Sequence, residues 1–341
     1  MPPMTKLPQG TSSESPLDEV FDGADTLWGI PSEETKATVA KLLQAPPASR
    51  RYAVIIVHYH RFDETKELLA TIPGWDEPPE RILVADNSAP HYDWTFTGQS
   101  PIPVSVFPLP DNPGYGSAVN QLVEDIDAEI PQFLILTHEV SLTSDCSRLL
   151  LDSLLSSGSN AVSAPILVYK NKPEIVFSAG GTLSKRGVAQ HRGMGRKIDI
   201  LKRSTKDYLV DWADGACLLI RRDIFEALNG FDSRYFLYVE EIDYQYRASL
   251  VGANRVVVPA AQASQAPGNY PLFLKYRNHS LLSQKMSPHL KTWPWAVELL
   301  KDSVRWLIGR ITSSPRDAIR GLRETREERS SNYVWSGRNP Q

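Results

Sequence analysis

The pattern of hydrophobic and polar positions changes character at residue 50. Before it, Met1–Pro16 is rich in Pro and Ser and has almost nothing to bury, a composition that reads as disordered. Val20, Phe21, Leu27, Trp28 and Ile30 form a short apolar series able to dock, and Ser32 ahead of Glu33–Leu43 predicts a capped helix that Pro46-Pro47 ends. From Arg51, continuous apolar runs alternate with amphipathic stretches. Tyr52–Tyr59, Arg81–Ala85, Val104–Leu109 and Phe133–Leu136 predict strands, the first buried on both faces. Arg61–Ile72 places Leu68, Leu69 and Ile72 at helical spacing, and Tyr115–Ile130 predicts a helix entered through Asn112-Pro113-Gly114-Tyr115-Gly116. Such alternation implies right-handed crossovers and a mostly parallel sheet covered on both faces.

The second half is more mixed. Ala161–Leu167, Ala216–Ile220 and Arg255–Val258 read as strands, and Asp223–Leu228 and Glu240–Leu250 as helices, the former closing at Asn229-Gly230. Gly187–Lys206, rich in Gly and basic residues, reads as an irregular mobile loop, and beyond Pro288 an aromatic amphipathic helix precedes a charged one. There is no internal repeat.

Composition narrows the function classes. With 37 Lys and Arg against 40 Asp and Glu, the net charge of −3 offers no global attraction to nucleic acid. Two distant cysteines, Cys146 and Cys217, exclude a Cys-rich zinc site and suit a reducing compartment. No apolar run is long enough to span a bilayer, and Met1–Arg50 lacks a signal-peptide pattern. The expectation is a cytoplasmic protein, or at most one lying on a membrane.

Ligands of parallel sheets gather at the carboxyl ends of the strands, which selects His58–Arg61, Asp86–Ser88, Asn112–Gly116 and Thr137–Val140. Asp86 has two readings: an acceptor for a nucleobase imide or ribose hydroxyl, or the start of an Asx-turn. The glycines of Asn112–Asn120 allow close backbone approach to a diphosphate, or simply make a strand-to-helix turn. His138 and Glu139 directly follow a strand, where an acid holds a divalent cation against phosphate oxygens or merely ends the strand. Glu240 and Glu241 open a helix below Tyr235, Phe236 and Tyr238, surroundings that raise a carboxyl pKa toward base function. Asp243 and Arg247 are spaced to pair along that helix. Trp212, Asp214 and Gly215 place an indole and a carboxylate at a strand entry, suited to stacking a sugar ring or to core packing.

In this order, VIIVHYHR, ILVADNS, DNPGYGSAVN, FLILTHEV, VDWADGACLLIRRDIFEALNGFD, FLYVEEIDYQYRASLVG and KYRNHSLL resemble the inverting family 2 glycosyltransferases, specifically their rhamnosyltransferase-like branch. The joint order is far more specific than any one stretch, and it covers roughly Arg51–Lys285. The resemblance implies an α/β GT-A domain over 51–285, its nucleotide-binding half about 51–140 and its acceptor half about 141–285. Around it lie an extension over 1–50 and C-terminal helices over 286–341. It implies transfer of a sugar from a nucleotide diphosphate to a hydroxyl with inversion, with Glu241 or Glu240 as general base. His58, Arg61, Asp86, Asn112, Gly114, Asn120 and His138 would lie on the donor side, and Trp212, Asp214 and Gly215 on the acceptor side.

Two positions depart from the family pattern. The metal-binding aspartate is Glu139, and a histidine often found after the last strand is Gln265, so Mn²⁺ or Mg²⁺ would be weakly held. A sugar-nucleotide or glycan-binding protein that has lost transfer is the rival reading; a nucleotide-sugar pyrophosphorylase would need a basic Gly-rich loop that VIIVHYHR lacks. The expected donor is dTDP-rhamnose, then a UDP-sugar, and the acceptor a glycan, a lipid-linked glycan or a small molecule. In the C-terminal segment Trp293, Trp295, Val297, Leu299, Leu300, Val304, Trp306, Leu307, Ile308 and Ile311 are interspersed with Lys301, Arg305 and Arg310. That pattern suits packing on the domain, a homodimer contact or a membrane interface.

Overall fold

The computed structural model describes residues 29–201, 206–266, 268, 270–287, 294–308 and 314–328. The expectations for Met1–Pro16, for Val20, Phe21, Leu27 and Trp28, and for Trp293, Arg310 and Ile311 lie outside these residues. Twelve described strands are β1 (Tyr52–His58), β2 (Arg81–Asp86), β3 (Val104–Pro108), β4 (Gln132–Thr137), β5 (Ser141–Leu142), β6 (Asn160–Tyr169), β7 (Lys172–Ser178), β8 (Gly181–Leu183), β9 (Ala189–His191), β10 (Tyr208–Leu209), β11 (Cys217–Arg221) and β12 (Asn254–Gln265). The helices are α1 (Glu33–Leu42), α2 (Phe62–Thr71), α3 (Tyr115–Glu124), α4 (Cys146–Leu155), α5 (Ile198–Leu201), α6 (Arg222–Ala227), α7 (Glu240–Leu250), α8 (Leu272–Met286), α9 (Pro294–Leu307) and α10 (Pro315–Glu328).

The main sheet has the order β10-β12-β6-β11-β4-β1-β2-β3. Its β3-β2-β1-β4 half is parallel, as the continuous apolar runs predict: every residue of β1 is buried, because helices cover both faces. In the other half β12 runs parallel to β6 over its length, but an antiparallel strand is inserted beside it. β11 runs antiparallel to both β4 and β6, so the sheet is mixed at its centre. The chain leaves β1 toward β2 and β3, then returns to β4 on the opposite side of β1. That reversal opens a crevice at the carboxyl ends of β1 and β4.

Several boundaries differ from expectation for identifiable reasons. α3 stops at Glu124, where the Asp125 and Ile126 amides turn to the carbonyls of Leu122 and Val123 at 3.2 and 3.3 Å, and the Arg222 guanidinium then takes the carbonyls of Ile126 and Asp127 at 2.9 and 2.8 Å. β12 runs on to Gln265 through a register shift between Val258 and Gln262, which lets it pair along the full length of β6. Within 187–206, expected to be irregular, β9 pairs with β8 as a hairpin and α5 follows. α1 begins as predicted, the Ser32 hydroxyl accepting from the Thr35 amide at 3.1 Å. It is fastened by the buried Arg221, which donates to the carbonyls of Leu42, Ala45 and Gly158. Ile30, ahead of α1, packs on the cluster that contains Trp212 and Tyr235.

Candidate active site

Three segments meet at the carboxyl-end crevice: the turn at 112–116, the strand entry at 212–216, and the loop 232–239 that launches α7. The Tyr115 amide donates to the Phe236 carbonyl at 2.8 Å, and the Tyr115 hydroxyl donates to the Gly215 carbonyl at 2.6 Å. Gly114 has φ +91°, and a Cβ there would lie 2.1 Å from the Phe236 oxygen. Its lack of a side chain brings the turn against the acid-bearing loop. Gly116 and Gly215 act alike, since Cβ atoms there would meet Glu240 Cγ at 3.3 Å and Glu241 Cγ at 3.2 Å.

The loop is held in an unfavourable conformation. Tyr238 and Val239 have φ of 71° and 77°, and positive φ is a real strain for a β-branched residue. The neighbours that hold it are visible. Buried Asn278 of α8 donates its amide hydrogens to the carbonyls of Leu237 and Tyr238, both at 2.8 Å, and Arg277 donates to the Arg234 carbonyl at 2.9 Å. Below, the buried Lys285 ammonium bridges Asp232 at 2.9 Å and Asp243 at 2.5 Å, while Asp243 pairs with Arg247 at 2.8 Å. The expected pairing along α7 is therefore part of a larger buried network.

Glu240 is buried, and one of its oxygens, Oε2, has no hydrogen-bond partner. Burial pushes its carboxyl up to about 7. Glu241 is half-buried beside Gly215; burial, then the charges of Glu240 and Asp214, raise its carboxyl well above the ordinary range. Burial also raises Asp214, against the opposing pull of His191. Tyr238 is pushed up to about 12 by burial and then by Glu139, Glu240 and Glu241, so all three acids bear on one phenol. Burial thus favours the neutral form of Glu240, Glu241 and Asp214 until a cation or a positively charged ligand enters.

The residues expected on the donor side divide. Asp86 is fully buried, its oxygens taken by Trp94 Nε1 at 2.9 Å and the Ser88 amide at 3.0 Å. Burial opposes its charge, but those bonds prevail and hold its carboxyl below the usual range. The Asx-turn reading of Asp86 is the one that forms, with the carboxylate engaged beside the rings of Tyr92 and Trp94. His58 lies below the same rings, bonded through Nδ1 to Thr65 at 2.7 Å, and burial lowers its pKa to about 4. It is a neutral group. Arg61 is exposed and faces Glu64 at 3.5 Å. Asn112, at φ 42°, accepts from the Gly114 amide at 3.3 Å and shapes the turn. Asn120 is engaged away from the crevice, its amide clasping both backbone groups of Phe231 at 2.8 and 2.9 Å.

On the acceptor side, Trp212 takes the core-packing alternative. It is buried, seated on Gly181 and bonded through Nε1 to the Thr182 carbonyl at 3.2 Å. The hairpin β8–β9 instead brings in His191, which the sequence reading did not single out. Its ring lies against Trp212, its Nδ1 is 3.0 Å from Ser178 Oγ and 3.9 Å from Asp214, and burial lowers its pKa.

Among the described residues no three His, Cys, Asp or Glu side chains lie close enough to hold a metal ion. Glu139 faces His138 at 3.3 Å. Gln265 ends β12 one position beyond the Ser264–Ser141 pair, beside the 138–140 turn, and its buried Oε1 has no partner. One carboxylate and one orphaned amide oxygen fit a hard cation whose other ligands come from a diphosphate and water.

No family model matches the chain. Over 230 residues it is 27% identical to the N-acetylglucosaminyl-diphospho-decaprenol L-rhamnosyltransferase of Mycobacterium tuberculosis, covering 61% of this chain and 74% of that protein. Over 97 residues it is 37% identical to the rhamnosyltransferase WbbL of Escherichia coli, which covers 28% of this chain and 34% of that one. Among solved structures, GalNAc-T7 with UDP, GalNAc and Mn²⁺ aligns at TM-score 0.53 and 11% identity, covering 89% of this chain and 71% of that one. The mannosyltransferase PcManGT of Pyrobaculum calidifontis, with GDP-Man and Mn²⁺, aligns at 0.50 and 14%, covering 93% and 91%. At those identities the structural likeness concerns the fold, which is that of GT-A glycosyltransferases.

Proposed function

We propose that this chain, a glycosyltransferase of the GT-A fold with rhamnosyltransferases among its curated relatives, transfers rhamnose from dTDP-rhamnose to a hydroxyl of a lipid-linked glycan, with inversion. The observation that carries the mechanism is the pair Glu240–Glu241, held at the crevice by a strained loop, the Glu240 carboxyl raised to about 7 and that of Glu241 raised well above the ordinary carboxylate range by burial.

Glu241, the more accessible of the two, takes the proton of the acceptor hydroxyl. The oxygen forms its bond to the anomeric carbon as the bond to the diphosphate breaks on the opposite face, and the nucleoside diphosphate leaves with the electron pair. Raising the carboxyl above its ordinary range makes it a stronger base, and general-base help of this kind is typically worth 10²–10⁴-fold. Glu240 supports it from the buried side and keeps its pKa high. Asp214 and His191 flank the acceptor, where a carboxyl and an imidazole orient hydroxyl groups. The turn at 112–116 and the residues near Asp86 and His138 receive the nucleotide. The loop over Asp86 must shift if that carboxylate is to meet the base. Glu139 and Gln265 are the groups of this chain that would hold a Mn²⁺ or Mg²⁺ ion. When bound, such a cation neutralises charge on the leaving diphosphate.

The test is a panel of nucleotide sugars, read by stabilisation of the purified protein and by release of nucleoside diphosphate with an N-acetylglucosaminyl diphospholipid acceptor. The reading predicts the largest melting shift with dTDP-rhamnose and turnover only when acceptor is present. Stabilisation by the donor without turnover on any acceptor would favour the binding-protein reading, for which the thin metal-ligand set is the supporting observation.

A further inference from the structure

α9 turns one face to the domain and another to solvent. Its inner face is fixed by the buried Asp302, which accepts from Lys275 of α8 at 2.6 Å and from the Tyr276 hydroxyl at 3.1 Å. Its outer face carries Leu300, Val304, Leu307 and Ile308, spaced i, i+4, i+7, i+8 along one stripe and 67%, 49%, 74% and 60% exposed. Four large aliphatic side chains together in water are unusual on a protein surface with no partner.

The surroundings of the stripe are basic. The turn of the β8–β9 hairpin carries exposed Lys185 and Arg186 and is fastened to the end of α8, the Ser287 hydroxyl donating to the Lys185 carbonyl at 3.1 Å. Val188 of the same hairpin and Leu299 of α9 pack on one cluster, so the basic turn lies beside α9. In sequence, residues 185–206 hold eight Lys or Arg against one Asp. None of the described helices is long and apolar enough to cross a membrane.

We propose that the outer face of α9 and the β8–β9 turn together form a docking surface for an anionic lipid bilayer, the aliphatic stripe entering the headgroup boundary and Lys185 and Arg186 meeting lipid phosphates. Apolar insertion and charge attraction act together in such interfacial helices. The other end of the same hairpin delivers His191 to Asp214, so a bilayer held at the turn would lie along the element that leads to the crevice.

Vesicle flotation of the full chain tests this without donor or acceptor, so its outcome is independent of the transfer reaction. The protein should float with vesicles of phosphatidylcholine and phosphatidylglycerol at low salt, far less with phosphatidylcholine alone, and less as salt rises. L307Q/I308Q should weaken partitioning at least roughly tenfold, since two exposed aliphatic side chains no longer enter lipid. K185E/R186E should abolish the preference for anionic vesicles. Both variants should keep the parental melting temperature, because the altered side chains are exposed. Failure of the intact chain to float at low salt overturns the proposal, as does undiminished flotation of L307Q/I308Q. Sedimentation showing a dimer that L307Q/I308Q converts to monomer, without vesicle binding, would assign the face to a second copy of the chain and equally overturn it.

Discussion

Glu240 shows how a residue proposed to act in transfer weighs on its own fold. Its buried carboxyl has an unpartnered oxygen and a pKa raised to about 7, against an ordinary value of 4.5. The folded state therefore prefers the protonated form, and Glu240 lowers stability as pH rises from about 4.5 through about 7. Gln at this position mimics the neutral acid. Glu240→Gln should thus melt higher than the parent at pH 8 and lose that advantage at pH 5, a comparison that calorimetry at the two pH values makes directly. The same elevation shapes catalysis. kcat/KM should climb on an acid limb whose apparent pKa lies well above that of a free carboxylate, and the limb belongs to the coupled pair rather than to either acid alone. A limb near the ordinary carboxylate value would remove the base from this pair.

At the scale of elements, the site is a clamp between the turn before α3, the loop before α7, and α8. Gly114→Ala would push a methyl group into the Phe236 carbonyl at a position with φ +91°, so the turn must move away from the acidic loop. Donor affinity and turnover should fall together while the parallel half-sheet stays folded, which donor titration followed by far-UV circular dichroism will check. Asn278→Leu removes two hydrogen bonds to strained carbonyls and should cost about 2 kcal/mol in stability. If Asn278 holds the acids in place, kcat should drop more than donor affinity. Little of this clamp was legible in the sequence. The strands β1, β2 and β4 announce themselves as unbroken apolar runs, and the Glu-Glu start of α7 was readable from its aromatic preface. α8 was not, because it is buried nearly all round, from Leu272 to Lys285, and shows no amphipathic period. The hairpin β8–β9 has strands of three residues each, too short and polar for alternation to mark them. His191 gains meaning only from Asp214 and Trp212, partners more than twenty residues away in the chain.

For the molecule as a whole, the sheet reversal between β1 and β4 places the crevice, and the antiparallel β11 carries the acceptor-side entry into it. The alternation of apolar runs and amphipathic stretches could place the fold class but not that antiparallel insertion, since strand direction depends on pairings far apart in sequence. Only Glu139 and Gln265 are proposed to hold a cation, so exhaustive chelation should abolish transfer while leaving the melting temperature of the donor-free protein unchanged. Full activity after chelation would mean that protein groups alone meet the diphosphate charge. The central claim, that Glu241 is the base of an inverting transfer, is tested most directly by single-turnover rates of Glu241→Gln with donor affinity measured on the same preparation. The account predicts a loss of roughly 10²–10⁴-fold in rate with donor binding held within a few-fold. Near-parental turnover in both Glu241→Gln and Glu240→Gln would contradict it.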